Sequence, residues 1–180
     1  MGNIAMRTSV SRNSSTYQVP SRRTARSSSP DAIALLKADH RQVATWFGQF
    51  EHTRSAERKQ ALATRICNAL KVHTEIEEEI FYPAFLASTR DTDMHHEAVV
   101  EHAGAKYLIA EIEAASPADD YFDAKVKVLS EMIKHHVKEE EQPGGMFAEA
   151  RKSDMDLGQL GQQLKARKRE LERQQAEGAH

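Results

Sequence analysis

Four stretches of the chain carry apolar residues three and four positions apart, the spacing that places them on one face of a helix. The pattern predicts a first helix from Ser29-Pro30-Asp31 to about residue 50, and three more over about 55–87, 93–115 and 117–142. No strand pattern competes with it. Short connections between four such helices predict an all-α protein with an up-down-up-down four-helix bundle.

Proline and glycine residues suggest where these helices begin and end. Ser29-Pro30-Asp31 and Ser116-Pro117 are typical of a capping residue followed by proline at the first helical position. Pro83 is expected to bend the last turn of the second helix. Pro143-Gly144-Gly145 is expected to end the fourth helix. A short turn and a charged extra C-terminal helix near 156–175 follow, the helix either solvated or packed at the edge of the bundle.

Each of the four apolar faces is interrupted near its centre by one or two polar residues. The six residues are His40, His73, Glu77, His102, His136 and Glu140. In both histidine and glutamate pairs the spacing is four residues, so the two side chains lie one turn apart on the same face. Burying such groups without partners costs roughly 2–7 kcal/mol each. The pattern therefore predicts that they are bound to one another or to a metal.

The polar residues also form an internal repeat. His40 and His102 are 62 residues apart, whereas His73 and His136, like Glu77 and Glu140, are 63 apart. Two facing helical hairpins would place four imidazoles and two carboxylates around a pseudo-two-fold axis. This arrangement predicts two metal ions, each held by two histidines and both bridged by the carboxylates.

At these residues the sequence resembles the hemerythrin-like, or HHE cation-binding, family. The matching segments are DAIALLKADHRQV, HTEIEEEIFYPAF, EAVVEHAGAKYLI and HHVKEEEQPGGMFAEAR, which together span about residues 31–150. The resemblance implies a hemerythrin-like four-helix bundle with a non-haem di-iron centre. It carries the ligand roles over to His40, His73, Glu77, His102, His136 and Glu140.

Two departures from the oxygen-carrying members of this family affect the expected function. Lys106 stands where they have a further histidine, and Glu140 where they have an aspartate at a spacing one residue longer. A missing imidazole leaves a position for reaction at the metal. We therefore predict a protein that binds and reacts with O₂, hydrogen peroxide or nitric oxide in oxidative or nitrosative stress defence. The alternative is an iron or oxygen sensor without turnover. Because these two functions stay open, so does catalase-like decomposition of peroxide.

The donor set also bears on the choice of metal. Mixed imidazole and carboxylate ligands without thiolates favour iron over structural zinc, although manganese and zinc stay open. Glu78 and Glu139 are interpreted either as acids that orient the histidine ligands or as solvated residues. Three aromatic residues off the centres of the faces are expected to pack in the bundle, namely Trp46, Tyr82 and Tyr107.

Composition and charge narrow the class of protein. The 180 residues support one domain of ordinary size, and nine histidines outnumber eight glycines. Cys67, the single cysteine, excludes a disulfide framework and indicates a reducing compartment, so a cytoplasmic location is expected. Residues 31–180 hold 20 basic and 27 acidic residues, which argues against nucleic acid as a partner. No apolar run is long enough for a membrane span.

Residues 1–30 contain five arginines and no acid, and they are rich in serine and threonine. Residues 1–29 are predicted to be a disordered tail, although an organelle transit peptide or a twin-arginine signal has a similar composition. The predicted organisation is thus a tail over 1–29, a metal-binding bundle over 30–150 and a charged helix with its tail over 151–180. Nothing in the sequence indicates an oligomeric state.

Overall fold

The computed structural model describes residues 1–2 and 30–178, and every regular element in these residues is helical. A π-turn, Glu77–Phe81, joins two of the helices into one continuous rod. The seven α-helices in residues 30–178 are α1 (Ala32–His52), α2 (Ala56–Ile76), α3 (Tyr82–Thr89), α4 (Thr92–Glu113), α5 (Phe122–Glu141), α6 (Met146–Lys152) and α7 (Leu157–Gly178).

Four long helical segments form the body of the protein. Helix α1 packs against α2 and α5, and α4 packs against the same two helices from the other side. The rod formed by α2, the π-turn and α3 corresponds to the second predicted helix. The predicted four-helix bundle with up-down-up-down order is confirmed.

Two predicted helix starts are wrong. The first helix is capped by Asp31, whose carboxylate accepts a hydrogen bond from the backbone N–H of Ala34, so Pro30 precedes the helix instead of occupying its first turn. Helix α5 begins at Phe122, five residues after Pro117. The Asp119 carboxylate accepts from the N–H of Ser116, and this local bond favours a turn over a helix start.

The C-terminal part of the chain adds two helices to the bundle. Where the sequence predicts only a short turn, the structure has α6, which packs against α3 and α5. Helix α7 packs along α1, α2 and the π-turn with Leu164 and Leu171 buried, as expected of the edge-packing alternative. Gly161 makes this close approach possible, because a Cβ there would lie 2.7 Å from the carbonyl oxygen of Pro30.

The apolar core is divided into two clusters along the bundle axis. One cluster includes Leu36, Ile76 and Phe85, and the other includes Val43, Leu70 and Leu129. A layer of buried histidine and glutamate side chains lies between them. The buried polar layer therefore has an apolar cluster on each side of it.

Other sequence predictions concern the ends of the chain and the membrane. The predicted disordered tail falls almost entirely on residues 3–29, outside the described residues. Within the described ranges, no helix is both apolar enough and long enough to cross a lipid bilayer.

Candidate metal centre

All six residues singled out by the sequence pattern meet in the buried polar layer. They are His40 from α1, His73 from α2, Glu77 from the π-turn, His102 from α4, and His136 and Glu140 from α5. Each is at most 6% exposed. Four separate helical segments thus bring these side chains to one place inside the bundle.

The four imidazoles approach one another in two pairs through their Nε2 atoms. The Nε2 atoms of His40 and His73 are 3.0 Å apart, and those of His102 and His136 are 3.3 Å apart. Two like ring nitrogens at this separation need either a shared proton or a cation between them. Each pair therefore supplies two convergent nitrogen donors.

The two buried glutamates lie between the imidazole pairs. Glu77 Oε2 is 3.2 Å from Nε2 of His73 and 3.5 Å from Nε2 of His102. The carboxylate of Glu140 lies 3.4 Å from Nε2 of His40 and 3.6 Å from Nε2 of His136. Each carboxylate thus contacts one imidazole of each pair, which is the placement that a bridging ligand requires.

The donor atoms suit metal ions better than they suit one another. His40, His73, Glu77 and Glu140 offer donor atoms within 4.8 Å of one another, as do Glu77, His102 and His136. Glu77 Oε1 and Glu140 Oε2 are buried and have no hydrogen-bond partner. Unpaired carboxylate oxygens are costly in a protein interior. Two overlapping donor groups with orphaned oxygens therefore fit a site for two cations.

The charges of the cluster are strongly coupled. Burial lowers the pKa of His40 to about 4, helped by the charge of His73. Burial also opposes protonation of His73, but the Glu77 charge and the facing Asp39 carboxylate raise the pKa of His73 to about 10. Burial and the charge of Glu77 raise the pKa of Glu140. Protons thus neutralise the negative charge of this cluster only in part, whereas bound cations would neutralise the carboxylates directly.

Behind each imidazole, an acidic side chain faces the other ring nitrogen. Nδ1 of His40 is 2.8 Å from Glu141, and Nδ1 of His102 is 3.0 Å from Glu78. Nδ1 of His136 is 2.8 Å from Glu101, whereas Nδ1 of His73 is 3.7 Å from Asp39. A carboxylate on Nδ1 fixes the ring with Nε2 free to bind a metal.

A cationic or ionisable group in turn contacts each of these outer acids. Lys37 lies 3.0 Å from Glu141, and Lys106 lies 2.6 Å from Glu78. Lys168 of α7 bonds to Asp39, and the imidazole of His135 is 3.2 Å from Glu101. These contacts hold the acids in place behind the histidines. Lys106, where the oxygen carriers have a further histidine, accordingly points outward to Glu78.

The sequence contains a signal for these outer acids that the pattern of apolar faces does not use. Asp39 and Glu101 each precede a single histidine of the repeat, and Glu78 and Glu141 each follow a glutamate of the repeat. Their spacings, 62 and 63 residues, are those of the ligands themselves. Of the two acids with open interpretations, Glu78 does orient a histidine. Glu139 instead accepts a hydrogen bond from Gln142.

Tyr82 packs in the bundle as expected, and its hydroxyl also enters the polar layer. Its hydroxyl oxygen lies 3.1 Å from Nε2 of His102, 3.3 Å from Glu140 and 3.5 Å from Glu77. The π-turn explains this position, because its backbone bond from the N–H of Tyr82 to the carbonyl of Glu77 spans five residues. Spacing rules for an α-helix place these two residues on different faces.

The remaining aromatic and histidine residues lie elsewhere. Tyr107 is exposed instead of packed in the bundle, so that expectation is wrong. Trp46 packs against the apolar cluster around Val43. His135, the neighbour of His136, is exposed and outside the polar layer.

A small cavity of about 10 Å³ adjoins the imidazoles, lined by all four histidines and by apolar residues including Val43, Leu70, Ile133 and Val137. An outer groove of about 280 Å³ between α1 and α5 leads to His40 from the surface. Ile133 and Val137 line both spaces. These two apolar side chains, together with His40, therefore lie between the groove and the interior of the site.

A cluster of buried imidazoles and carboxylates inside a four-helix bundle defines a metal-binding helical protein. The chain belongs to the hemerythrin family, since the model of the hemerythrin HHE cation-binding domain matches residues 31–143. Helix α7 lies wholly outside the matched residues.

Two known proteins are similar to this chain. A hemerythrin HHE cation-binding domain-containing protein from Mycobacterium kansasii has the same fold, with a TM-score of 0.65, 22% identity, and coverage of 79% of this chain and 87% of that one. A DNA nickase from Nostoc sp. strain PCC 7120 is 28% identical over 150 residues, which cover 81% of this chain. The similarity covers 42% of the nickase, so the chain spans less than half of that relative.

Proposed function

We propose that this chain is a non-haem di-iron protein that binds and reacts with O₂, hydrogen peroxide or nitric oxide. The ligands would be His40, His73, Glu77, His102, His136 and Glu140. The observation that carries the proposal is the position of the two carboxylates, each between one imidazole of one pair and one of the other. Bound iron would supply the redox chemistry that none of these side chains provides alone.

The donor set supports iron as the metal. Four imidazoles and two carboxylates suit a redox-active first-row metal, and the single cysteine, Cys67, lies in an apolar cluster away from the imidazoles. Manganese and zinc are the competing occupants. Each proposed histidine ligand faces an acid on its second ring nitrogen, and such outer acids hold a ligand neutral at Nε2 and correctly oriented.

The size of the inner cavity supports a substrate of two to four atoms. A cavity of about 10 Å³ holds roughly one water-sized molecule. Its small size excludes larger metabolites, and the apolar residues in its lining limit the access of bulk water to the imidazoles. Lys106 faces Glu78 instead of this cavity, and Tyr82 is the remaining group that could donate a proton near the glutamates. Its hydroxyl would hold that proton and donate a hydrogen bond to Glu140.

A small-molecule role in the cytoplasm, in oxidative or nitrosative stress defence, suits these features better than action on DNA. The similarity to a DNA nickase covers less than half of that protein. The acidic excess in residues 31–180 also disfavours binding to a polyanion. A plasmid-nicking assay on the metal-loaded protein should therefore show no conversion of supercoiled to open-circular DNA.

Metal analysis and ligand reaction test the proposal together. Protein purified aerobically should contain about two iron atoms per chain and should react with peroxide, O₂ or nitric oxide. His136→Ala should lose metal, whereas His96→Ala, at an exposed position outside the polar layer, should retain it. Less than one iron per chain with zinc in its place would overturn the redox function. A di-iron protein inert to all three molecules would favour the sensor alternative, in which metal binding alone changes the stability of the bundle.

A further inference from the structure

Helix α7 reaches the candidate metal centre although it lies outside the matched family domain. The ammonium group of Lys168 hydrogen-bonds to Oδ1 of Asp39 on α1. The other oxygen of this carboxylate, Oδ2, faces Nδ1 of His73 at 3.7 Å. A chain of three side chains therefore connects α7 to one of the proposed ligands.

His73 differs from the other three histidines in the contact on its outer nitrogen. Their Nδ1 atoms lie 2.8–3.0 Å from an acid, within hydrogen-bond distance. Nδ1 of His73 and Oδ2 of Asp39 are both buried, and neither has a hydrogen-bond partner. An imidazole that binds metal through Nε2 carries its proton on Nδ1 and needs an acceptor there. Asp39 is the acid that faces it.

The position of Asp39 depends on Lys168. A carboxylate on a helix can rotate, and the bond from Lys168 to Oδ1 leaves Oδ2 directed at His73. Lys168 is itself placed by the packing of α7, where Leu164 and Leu171 are buried and Arg167 bonds to Glu75 and Glu79. The docking of α7 thus sets the position of the lysine, and the lysine sets the position of the acid.

We propose that Lys168 is a positioning residue for the metal ligand His73, acting through Asp39, so that α7 is part of the His40 and His73 half of the metal centre. This inference rests on the proposed function, because it requires His73 to bind a metal. The matching acid in the other half of the centre is Glu101, and it contacts His135 of α5, which is a helix of the four-helix bundle itself. The two halves therefore depend on different parts of the chain.

The test is metal release from the full chain loaded with cobalt(II), whose absorption reports the number and type of its ligands. Lys168→Met keeps the aliphatic stem of the side chain and removes the charge. Loss of an outer acid contact lowers metal affinity about 10–100-fold. We expect one of two release phases to a chelator to accelerate by that factor and its absorption bands to shift. Lys168→Arg should restore the wild-type rate.

Arg173→Met is the matched control, since it removes a cation of the same helix whose ion pair, with Glu177, stays within α7. It should leave the release phases unchanged. Asp39→Asn should accelerate the same phase as Lys168→Met, and the double variant should release no faster than Asp39→Asn alone. Equal acceleration by Arg173→Met, or normal release by Lys168→Met, would refute the role of Lys168. A wild-type protein that takes up neither cobalt nor iron would instead overturn the metal centre itself.

Discussion

The phenol oxygen of Tyr82 lies 3.3 Å from the carboxylate of Glu140, a residue 58 positions later in the chain. Burial raises the pKa of Tyr82 well above its ordinary value, and the charges of Glu77 and Glu140 add to this effect. The phenol therefore stays protonated and acts as a hydrogen-bond donor at the centre of the bundle.

Removing this hydroxyl should weaken the polar layer without emptying it. Tyr82→Phe keeps the buried ring and leaves a carboxylate without its donor, which costs about 1–3 kcal/mol. Chemical denaturation of the metal-free protein should show this loss, while metal content stays near the wild-type value. Tyr107→Phe is the control, because that side chain is exposed and its hydroxyl should contribute nothing measurable. Complete loss of metal from Tyr82→Phe would instead make the phenol a ligand.

Ile133 should control how fast small molecules reach the site. It lines both the outer groove and the inner cavity, so Ile133→Ala opens a path between them and should speed the binding of azide or nitric oxide by the metal-loaded protein. Stopped-flow absorption measures this rate. Ile112→Ala is a matched control, since it removes the same atoms from a buried position that lines neither space. Both variants should lose about 2–5 kcal/mol of stability, but only Ile133→Ala should change the entry rate.

Metal binding should stabilise the fold strongly. The metal-free bundle buries six ionisable side chains with two orphaned carboxylate oxygens, and a metal that binds only the folded state adds about 2.7 kcal/mol at a concentration of 100 times its dissociation constant. Thermal unfolding with and without ferrous iron should show the shift. The shift should disappear in His73→Ala and persist in His96→Ala. Equal midpoints with and without iron would contradict a site assembled by folding.

Cys67 should be inert in the folded protein. Burial raises the pKa of its thiol to about 12, and the nearby charge of Glu113 adds to the shift. At pH 8 only about one thiol in ten thousand is then ionised, and the thiolate is the reactive form. A colorimetric thiol reagent should react at the rate of global unfolding in native protein and at once in denaturant. Fast labelling at pH 8 under native conditions would show that α2 opens locally.

Periodicity was sufficient to predict the bundle and to select the six buried polar residues, because each interrupts an apolar face at α-helical spacing. It could not place Tyr82, since the π-turn changes the spacing at that point alone. Pro83 directly follows this region, and it has no N–H to donate to the carbonyl of Glu79. Periodicity also could not identify Lys168 as a neighbour of the site, because the docking of α7 depends on long-range packing through Leu164 and Gly161.

The two halves of the internal repeat differ just after their glutamates. Tyr82 follows Glu77 by five residues, and the residue five after Glu140 is Gly145, where a Cβ would lie 2.2 Å from the carbonyl oxygen of Glu139. One hairpin therefore supplies a phenol where the other has no room for any side chain. Two chemically identical ions bound to duplicated ligands would still be distinguishable, with separate spectroscopic signals and different reduction potentials.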